Sequence, residues 1–381
     1  MSAQGGGARL RAAVAGATGF IGPVHARAAR LAGAELGGVS ASTPERAREA
    51  AERLGAARAF ASPQELAVAE GVDVVHICTP NDLHAPLAEA ALRAGKHVVC
   101  EKPLATTAAE AERLLDAARD AGRVATVPFV YRYNPTVVEA RARIAAGEIG
   151  AVRLVHGGYL QDWLSTPDDD NWRVDPARSG ASRTFADIGS HWCDLMEFVT
   201  GQRIAAVCAQ TATVVAERAD RAGAPAFAPP AQRGPTKPVV TEDLATMLFR
   251  TDAGVVGTML VSQVSPGRKN HLHLEIAGER ASLRFEQERP ETLWIGRRQG
   301  TEIAWRDPVA MRPEAARLAT TPAGHAQGYV DCFEAFVADA YDAIAGGDPP
   351  GLPRFADGAR SARIVDAVVA SARAGAAWVE V

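Results

Sequence analysis

The sequence predicts an α/β domain with a doubly wound parallel sheet, followed by an α+β domain with a large, open, mainly antiparallel sheet. Short apolar runs alternate with alanine-rich helical stretches up to about residue 130, as parallel strands covered by helices on both faces require. Beyond about residue 150, short segments of alternating apolar and polar residues succeed one another, which is typical of antiparallel strands. We therefore expect one domain at residues 1–130 and a second at 131–381.

Length, charge and cysteine content agree with a two-domain globular protein. The 381 residues exceed what one ordinary core holds. A net charge of -4 gives no basic field for nucleic acid, and no apolar run approaches the ~20 residues of a membrane span. The five cysteines are scattered and form no C-x-x-C pair. This pattern favours a reducing cytoplasm over a disulfide framework, and it predicts no metal site.

The first apolar run, residues 10–15, leads into the glycine pattern G-x-x-G-x-x-G and an alanine-rich helix. Glycines let a backbone approach a pyrophosphate closely, and the free N–H groups at a helix start bind anions. The spacing is looser than the commonest dinucleotide fingerprint. It still predicts a Rossmann-like dinucleotide site, whose candidate contacts are Gly16, Thr18, Gly19, Phe20 and Ile21.

The end of the second strand, residues 35–39, bears on the choice of dinucleotide. An acidic residue there would bind the ribose hydroxyls of NAD, but Ser40 and Ser42 stand in this place, with Arg46 one helical turn further on. Serine hydroxyls can bond either a ribose hydroxyl or a phosphate, and Arg46 can equally be a solvated helix residue. NAD and NADP therefore both stay open as the cofactor, with Ser40, Ser42 and Arg46 as candidate contacts.

Polar residues follow the next two apolar runs, at the sheet edge where open α/β sheets bind ligands. Residues 72–78 end in Thr79-Pro80-Asn81, with His84 nearby, and residues 97–100 end in Glu101-Lys102-Pro103. An X-Pro bond can be cis, so the second turn can aim its lysine. Lys102, one of only four lysines, is thus a candidate site residue, although an ordinary solvated strand end is the alternative.

The remaining elements of the first half are three helices and a closing strand. Helices are predicted at residues 44–54, 85–94 and 108–121, and a strand at 124–130. Glycine loops of this kind also open short-chain dehydrogenases, which need a tyrosine four residues before a lysine. None of the four lysines has one, so that chemistry is excluded.

The second half is predicted to form an open sheet that is followed by two helices. Strands are predicted at residues 152–160, 204–215, 244–250, 255–264, 271–276, 281–286 and 292–296, and helices at 330–345 and 356–374. Residues 217–241 carry five prolines and are expected to form a long surface loop. Because an open sheet needs its second face covered, we expect a homodimer or homotetramer formed through that face.

A second polar group lies in Asp187-Ile-Gly-Ser-His191-Trp-Cys-Asp194. If a helix begins near residue 188, these three residues share one face. Histidine can accept a proton near neutral pH, and a carboxylate can orient it. Asp187 could instead cap the helix, His191 could be a core histidine, and Asp194 is expected to be structural or to support His191.

The two polar groups together resemble the glucose-fructose oxidoreductase and inositol dehydrogenase family, which joins a Glu-Lys-Pro turn after a Rossmann-like half to Asp-x-x-x-His in an α+β half. The resemblance spans nearly the whole chain. It includes the Thr79-Pro80-Asn81 turn with His84, Tyr131-Arg132, Trp172-Arg173 and the closing helix after residues 355–358. Residues 159–173 resemble sugar dehydrogenases of the levoglucosan dehydrogenase kind.

The resemblance implies specific roles for these residues. Lys102 would contact the substrate and the nicotinamide ribose, His191 would take the hydroxyl proton, and Asp187 would bind substrate or relay the proton. Further implied cofactor contacts are Thr79, Pro80, Asn81, His84, Glu101, Arg132, Trp172 and Arg173. Further implied substrate contacts are Tyr131, Gln161, Asp162, Trp163, Arg173, His325 and Tyr329.

The expected activity is NAD(P)-dependent oxidation of a secondary hydroxyl of a sugar, anhydrosugar or inositol. Some relatives instead use a tightly held NAD in a transient oxidation that breaks a glycosidic bond. Others are non-catalytic dinucleotide sensors that have lost the lysine or the histidine. This chain retains Lys102, Asp187 and His191, which argues against a sensor.

Overall fold

A computed structural model of the protein describes residues 9–220 and 235–381. The described residues form a parallel sheet of five strands, a mainly antiparallel sheet of nine strands and a two-stranded hairpin. This confirms the predicted fold class. Among the helices of these residues, none combines the length and the apolar composition that a membrane crossing needs.

The first sheet has the strand order β2-β1-β3-β4-β5. Its strands β1 to β5 are Arg11–Ala15, Glu35–Ser40, Val74–Ile77, His97–Cys100 and Ala125–Thr126. The helices between them, α1 to α5, are Ile21–Leu31, Pro44–Leu54, Pro63–Val68, His84–Arg93 and Ala108–Ala121. The order reverses between β1 and β3, which creates the crevice where ligands bind in such sheets.

The first half differs from the prediction in one added helix and one shortened strand. The short helix α3 was not predicted; Ser62 caps its first turn by accepting a hydrogen bond from the Glu65 N–H. The predicted strand at 124–130 is only two residues long. The Val127 N–H donates to the Pro353 carbonyl instead of a neighbouring strand, and a 3₁₀ turn, Val130–Tyr133, follows.

The second sheet has the strand order β15-β14-β13-β12-β6-β11-β10-β7-β16. All its described pairings are antiparallel except that of β6 with β11. The strands β6 and β7 are Val152–Leu160 and Ile204–Ala212, and the hairpin strands β8 and β9 are Glu217–Ala219 and Thr236–Pro238. The strands β10 to β16 are Leu244–Thr251, Val256–Ser262, His271–Gly278, Ser282–Glu286, Thr292–Arg297, Gly300–Trp305 and Val379–Glu380.

The prediction of one long loop at residues 217–241 is wrong at both of its ends, because β8 and β9 pair there; residues 221–234 lie outside the described part. The strands β15 and β16 were also not predicted. Strand β15 is exposed along most of its length, so it lacks the alternation that reveals a half-buried strand.

Helices α6 to α11 are Pro135–Ala145, Pro176–Ser179, Ser190–Thr200, Pro313–Ala316, Tyr329–Ile344 and Phe355–Arg373. One face of the second sheet packs against α8 and α11 in a large apolar cluster that includes Trp192 and Val368. The two C-terminal helices also reach the first sheet. Phe333 and Phe336 of α10 share a core cluster with Val74 and Val99, so the two halves are joined by apolar packing. The division at residue 130 stays a prediction.

Candidate active site

The glycine loop lies between β1 and α1, and two of its glycines are fixed by close packing. A Cβ on Gly16 would lie 2.5 Å from the Cys78 carbonyl oxygen, and one on Gly22 would lie 2.5 Å from the Gly16 carbonyl oxygen. A Cβ on Gly19 would meet nothing within 4 Å. The first turn of α1 has no acidic residue and no side-chain cap, so its N–H groups are available to an anion.

Ser40 closes this loop from the neighbouring strand. Its carbonyl accepts hydrogen bonds from the Gly16 and Ala17 N–H groups at 3.0 and 2.9 Å, while its side chain is fully buried. Ser42 and Arg46 are exposed beside it, and the Arg46 guanidinium donates to the Ser42 hydroxyl at 3.3 Å. Of the three predicted contacts at this strand end, Ser42 and Arg46 are thus the accessible ones.

Lys102 projects from the turn after β4, where the Lys102-Pro103 peptide bond is cis. Its ammonium donates to the Asp187 carboxylate at 2.6 Å and to the Asp187 carbonyl at 2.8 Å. Only 12% of the lysine side chain is exposed. The structure therefore brings together the two polar groups that the sequence placed 85 residues apart.

Asp187 is held by three side chains. Besides Lys102, the Arg173 Nε lies 3.4 Å from the same carboxylate oxygen, and the Gln263 amide donates to the other oxygen at 2.8 Å. Burial opposes its ionisation, but the charges of Lys102 and Arg173 prevail and hold the pKa of Asp187 well below its usual range. Asp187 is therefore a carboxylate at neutral pH.

The backbone that carries Asp187 is a π-helical turn, Phe185–Gly189, instead of the start of an α-helix. The carboxylate of Glu242 accepts hydrogen bonds from the Phe185 N–H, the Arg183 N–H and the Ser182 hydroxyl. It thus satisfies N–H groups at the start of the turn. Such single π turns occur often at functional sites.

His191 lies one residue inside α8 and is 7% exposed. Its ring packs edge-on against the Tyr131 ring, with centroids 5.0 Å apart, and its Nδ1 is buried with no hydrogen-bond partner among the described residues. Burial and the charge of Lys102 hold the pKa of His191 well below its usual range, although Asp187 opposes this. The ring is neutral at physiological pH and can accept a proton.

Polar and aromatic side chains extend from His191 along one wall. The Tyr131 and Tyr159 hydroxyls are 2.6 Å apart, and both bond the Asn270 side chain. The Gln161 amide donates to Asn270 at 3.2 Å and accepts from the Trp163 indole at 2.9 Å. This wall offers amide and hydroxyl groups next to an indole, a combination that suits a polyhydroxylated ring.

Arg173 connects this wall with the carboxylate. Its guanidinium carbon lies 4.5 Å from the Trp172 ring centre and 5.9 Å from that of Trp163, and its Nε faces Asp187. Tyr329, at the start of α10, stands near the Tyr131 ring with centroids 6.2 Å apart and near Phe20 of the glycine loop at 6.5 Å. The glycine loop and the Tyr131 wall therefore approach each other at Tyr329.

Four of the predicted site residues have other partners in the structure. Arg132 is bound by the carboxylates of Asp194 and Asp357 in a buried group, so Asp194 is structural and does not support His191. Both ring nitrogens of buried His84 lie 2.8 Å from backbone carbonyl oxygens, those of Pro103 and Thr79. Both side chains are thus bonded to protein groups, and their direct contacts with a cofactor stay predictions.

Asp162 and His325 also lie apart from the cluster. The Asp162 carboxylate accepts hydrogen bonds from the Lys269 ammonium at 2.6 Å and from the Gly267 N–H at 3.0 Å. It thereby stabilises the loop after β11. The His325 side chain is exposed, and its carbonyl accepts from Arg306. Neither is brought into contact with Lys102, Asp187 or His191.

Three residues of the site were not predicted: Tyr159, Gln263 and Asn270. Each lies at or just beyond an end of one of the central strands β6, β11 and β12. Gln263 directly follows β11, and Asn270 directly precedes β12. Their signal in the sequence is a polar residue at a strand end of the second sheet, as Lys102 is at a strand end of the first.

The family described as "Oxidoreductase family, NAD-binding Rossmann fold" matches residues 10–129, and the "GFO/IDH/MocA C-terminal domain" matches residues 137–284. The levoglucosan dehydrogenase of Pseudarthrobacter phenanthrenivorans is 35% identical over 353 residues, which cover 90% of this chain and 88% of that protein.

The chain belongs to the GFO/IDH/MocA oxidoreductase family. Solved structures of this family share its whole fold. A levoglucosan dehydrogenase in complex with NADH and L-sorbose superposes with a TM-score of 0.89 at 31% identity, covering 98% of this chain and 99% of that one. An inositol dehydrogenase homologue from Azotobacter vinelandii, in complex with NADH and myo-inositol, has a TM-score of 0.82 at 28% identity, covering 98% of both chains.

Membership in the GFO/IDH/MocA family establishes the class of this protein. It is an NAD(P)-dependent oxidoreductase whose N-terminal half is an NAD-binding Rossmann fold. The family resemblance predicted from Lys102 and His191 is confirmed.

Proposed function

We propose that this chain oxidises a secondary hydroxyl of a sugar, anhydrosugar or inositol to a ketone, with NAD or NADP as hydride acceptor. One observation carries the proposal. A lysine ammonium, a carboxylate and a neutral imidazole meet at the carboxyl edge of the dinucleotide-binding sheet, with Lys102 Nζ 2.6 Å from Asp187 and both charges acting on His191. Residues 1–130 would hold the dinucleotide and residues 131–381 the substrate.

The cofactor site fits a dinucleotide in two respects. Gly19 leaves its backbone open to an approaching group, and the Thr79 hydroxyl at the end of β3 is buried without a partner among the described residues. The phosphates would lie at Gly19 and the start of α1, a ribose at Ser42 and Arg46, and the nicotinamide half near Thr79 and Lys102. When bound, the nicotinamide supplies an acceptor for hydride.

His191 is the proposed general base. Oxidation of a secondary alcohol removes a hydride from carbon and a proton from oxygen, so one group must take the proton. The pKa of the ring, lowered by burial and by the charge of Lys102, keeps it neutral, so one of its two nitrogens carries a free lone pair. It can therefore receive the hydroxyl proton without first losing one of its own.

Lys102 is the proposed stabiliser of the developing alkoxide. A lysine ammonium has three N–H groups, and hydrogen bonds within the described structure use two of them, both to Asp187. The third can donate to the substrate oxygen as negative charge builds on it. Asp187, Arg173 and Gln263 hold the lysine in this position and offer further polar contacts to neighbouring hydroxyls.

The substrate class is inferred from the wall of the pocket and from the relatives. Gln161, Asn270, Tyr131 and Tyr159 present amide and hydroxyl groups, and Trp163 presents an indole. Burial raises the pKa of Tyr131 to about 12, so its hydroxyl stays protonated. Relatives of this fold have been solved with levoglucosan and with myo-inositol, which makes cyclic polyols the first substrates to test.

The experiment is to follow the absorbance of reduced nicotinamide with NAD and with NADP across a panel of sugars, anhydrosugars and inositols. We expect a rise with at least one cyclic polyol, and its loss in both Lys102→Ala and His191→Ala. If the protein binds NAD(H) tightly but produces no reduced cofactor and instead releases an aglycone from a glycoside, the hydrolytic chemistry of some relatives replaces this proposal.

A further inference from the structure

A chain of four buried polar side chains begins at Glu101, the residue before Lys102. The Nε2 of His25 lies 3.0 Å from Glu101 Oε1, the Nδ1 atoms of His25 and His76 are 2.9 Å apart, and the Nε2 of His76 lies 2.8 Å from the Tyr341 hydroxyl. Both imidazoles have no exposed surface, and Tyr341 is 5% exposed. The proposed chemistry uses none of these three residues.

This chain of hydrogen bonds connects four structural elements that border the site. His25 lies on α1, which starts at the glycine loop, and His76 lies on β3, next to the strand that carries the lysine turn. Tyr341 lies on α10, whose first residue is Tyr329. The second oxygen of Glu101 accepts from the Lys102 N–H at 3.1 Å, so the chain ends on the backbone of Lys102 itself.

A carboxylate at Glu101 and two neutral imidazoles together fix the direction of every hydrogen bond in the chain. A carboxylate can only accept, so a neutral His25 carries its proton on Nε2 and accepts at Nδ1. His76 must then carry its proton on Nδ1, because a neutral imidazole has one donor, and its Nε2 accepts from the Tyr341 hydroxyl. In this arrangement all contacts are satisfied with both histidines neutral and no charge besides that of Glu101.

The opposite direction of the hydrogen bonds is disfavoured at Tyr341, the residue of the chain farthest from Glu101. It would place a proton on Glu101 and make His76 Nε2 the donor to the Tyr341 hydroxyl, whose own proton would then have no acceptor among the described residues. Burial raises the pKa of Tyr341 far above its usual value, so the hydroxyl keeps its proton. Burial also keeps the pKa of His76 well below its usual range, as a neutral ring requires.

We propose that His25, His76 and Tyr341 are positioning residues that hold Glu101 as an oriented carboxylate and, through it, fix the backbone of Lys102. The role in turnover rests on the proposed function, while the arrangement itself does not. The chain of hydrogen bonds also connects α1 to the lysine turn. It therefore fixes the position of the proposed phosphate-binding helix relative to Lys102.

The first test reads the tautomers directly. Protein labelled with ¹⁵N in its histidines is examined by NMR with NADH bound, and the signals are assigned through His25→Gln and His76→Gln variants. We expect His25 with its proton on Nε2 and His76 with its proton on Nδ1, both neutral at neutral pH. A charged ring at either position, or the opposite pair of tautomers, would overturn the arrangement whatever the protein oxidises.

The second test asks whether the chain affects turnover. Tyr341→Phe removes one hydroxyl from the far end, and we expect kcat to fall about three- to tenfold while KM for polyol and cofactor stays within about twofold. His25→Leu should lower kcat further, and His25→Gln should restore much of it, because the glutamine amide can donate where Nε2 did. Tyr133→Phe is the matched control, since Tyr133 lies in the same core cluster but takes no part in the chain.

The outcomes separate the two proposals. Unchanged kcat in Tyr341→Phe and His25→Leu, with the expected tautomers, would overturn the positioning role. Expected tautomers in a protein that oxidises no polyol would support the arrangement and count against the proposed function. An equal loss of kcat in Tyr133→Phe would show a general packing effect and would also overturn the positioning role.

Discussion

At the scale of single residues, the proposed chemistry depends on Lys102 and His191. The Lys102 ammonium lies 2.6 Å from the Asp187 carboxylate, and the two could form an ion pair with a structural role alone. Two features argue for a role in catalysis. The pair lies at the carboxyl edge of the first sheet, where such sheets bind ligands, and a neutral histidine lies beside it.

Removing the Lys102 charge should reduce turnover much more than it reduces cofactor binding. For Lys102→Ala we expect kcat to fall roughly 100- to 1000-fold, the loss seen when one preorganised donor is removed. Steady-state kinetics and NADH titration measure the two effects. Lys96→Ala is the control, because Lys96 precedes β4, away from the cluster. A Lys102→Ala enzyme with near-normal kcat would contradict the assignment.

The pH dependence follows from the lowered pKa of His191. Oxidation needs the neutral ring, which is the form present above its pKa. We therefore expect kcat/KM for oxidation to stay level down through pH ~6.5, the usual histidine value, and to fall only below it. A pH profile of polyol oxidation measures this. His191→Gln should lose roughly 100- to 10,000-fold in kcat, and an acid limb at or above the usual value would contradict the neutral base.

At the scale of elements, the glycine loop offers a matched pair of substitutions. A Cβ at position 19 meets no protein atom, whereas one at position 22 collides with the Gly16 carbonyl. Gly19→Ala should therefore weaken cofactor binding with little change in thermal stability. Gly22→Ala should lower both, because the start of α1 must move. Calorimetric titration with NADH and thermal unfolding separate the two, and unchanged NADH affinity in Gly19→Ala would remove the loop from the cofactor site.

The segment that carries Asp187 is stabilised by a buried ionic group. The Asp243 carboxylate accepts from the guanidinium groups of Arg183 and Arg218 and from the N–H groups of Val214 and Val215, and all three charged side chains are fully buried. Removing one partner of such a group leaves unpaired buried charges.

Asp243→Ala should therefore lower the free energy of unfolding by ~3–5 kcal/mol, measured from the urea midpoint. Asp116→Ala is the control, since Asp116 pairs with Arg119 on the surface and is 70% exposed; a change within ~0.5 kcal/mol is expected there. Equal stability in the two variants would show that the buried group does not hold the segment.

At the scale of the whole molecule, the sequence predicted most of the fold because its patterns are local. Apolar runs, a glycine loop and polar strand ends place Lys102 and the first sheet without any knowledge of distant contacts. Spacing predicts the position of Asp187 but not its π-helical turn, because the Glu242 carboxylate that bonds the Phe185 N–H lies 57 residues further along the chain. Gln263 and Asn270 were missed for the same reason, since only the strand order brings them to the site.

The outer face of the second sheet leads to a prediction about assembly. Leu248, Val256 and Leu260 lie on adjoining strands β10 and β11 and are 49%, 54% and 41% exposed. We expect this face to be covered by a second copy of the chain. Leu248→Glu combined with Leu260→Glu should shift the mass measured by light scattering towards a single chain, while Val309→Glu, an exposed loop position, should not. A monomeric unmodified protein would refute the interface.

The most direct test of the central claim follows a hydride from substrate to cofactor. A cyclic polyol carrying deuterium on its hydroxyl-bearing carbons is incubated with the protein and oxidised cofactor, and the cofactor is analysed by mass spectrometry. We predict that reduced cofactor accumulates with one deuterium per molecule and a ketone forms in equal amount, and that Lys102→Ala and His191→Gln lose both products. Conversion of the polyol with no deuterium in the cofactor would contradict the account, as would full deuterium transfer by the Lys102→Ala variant.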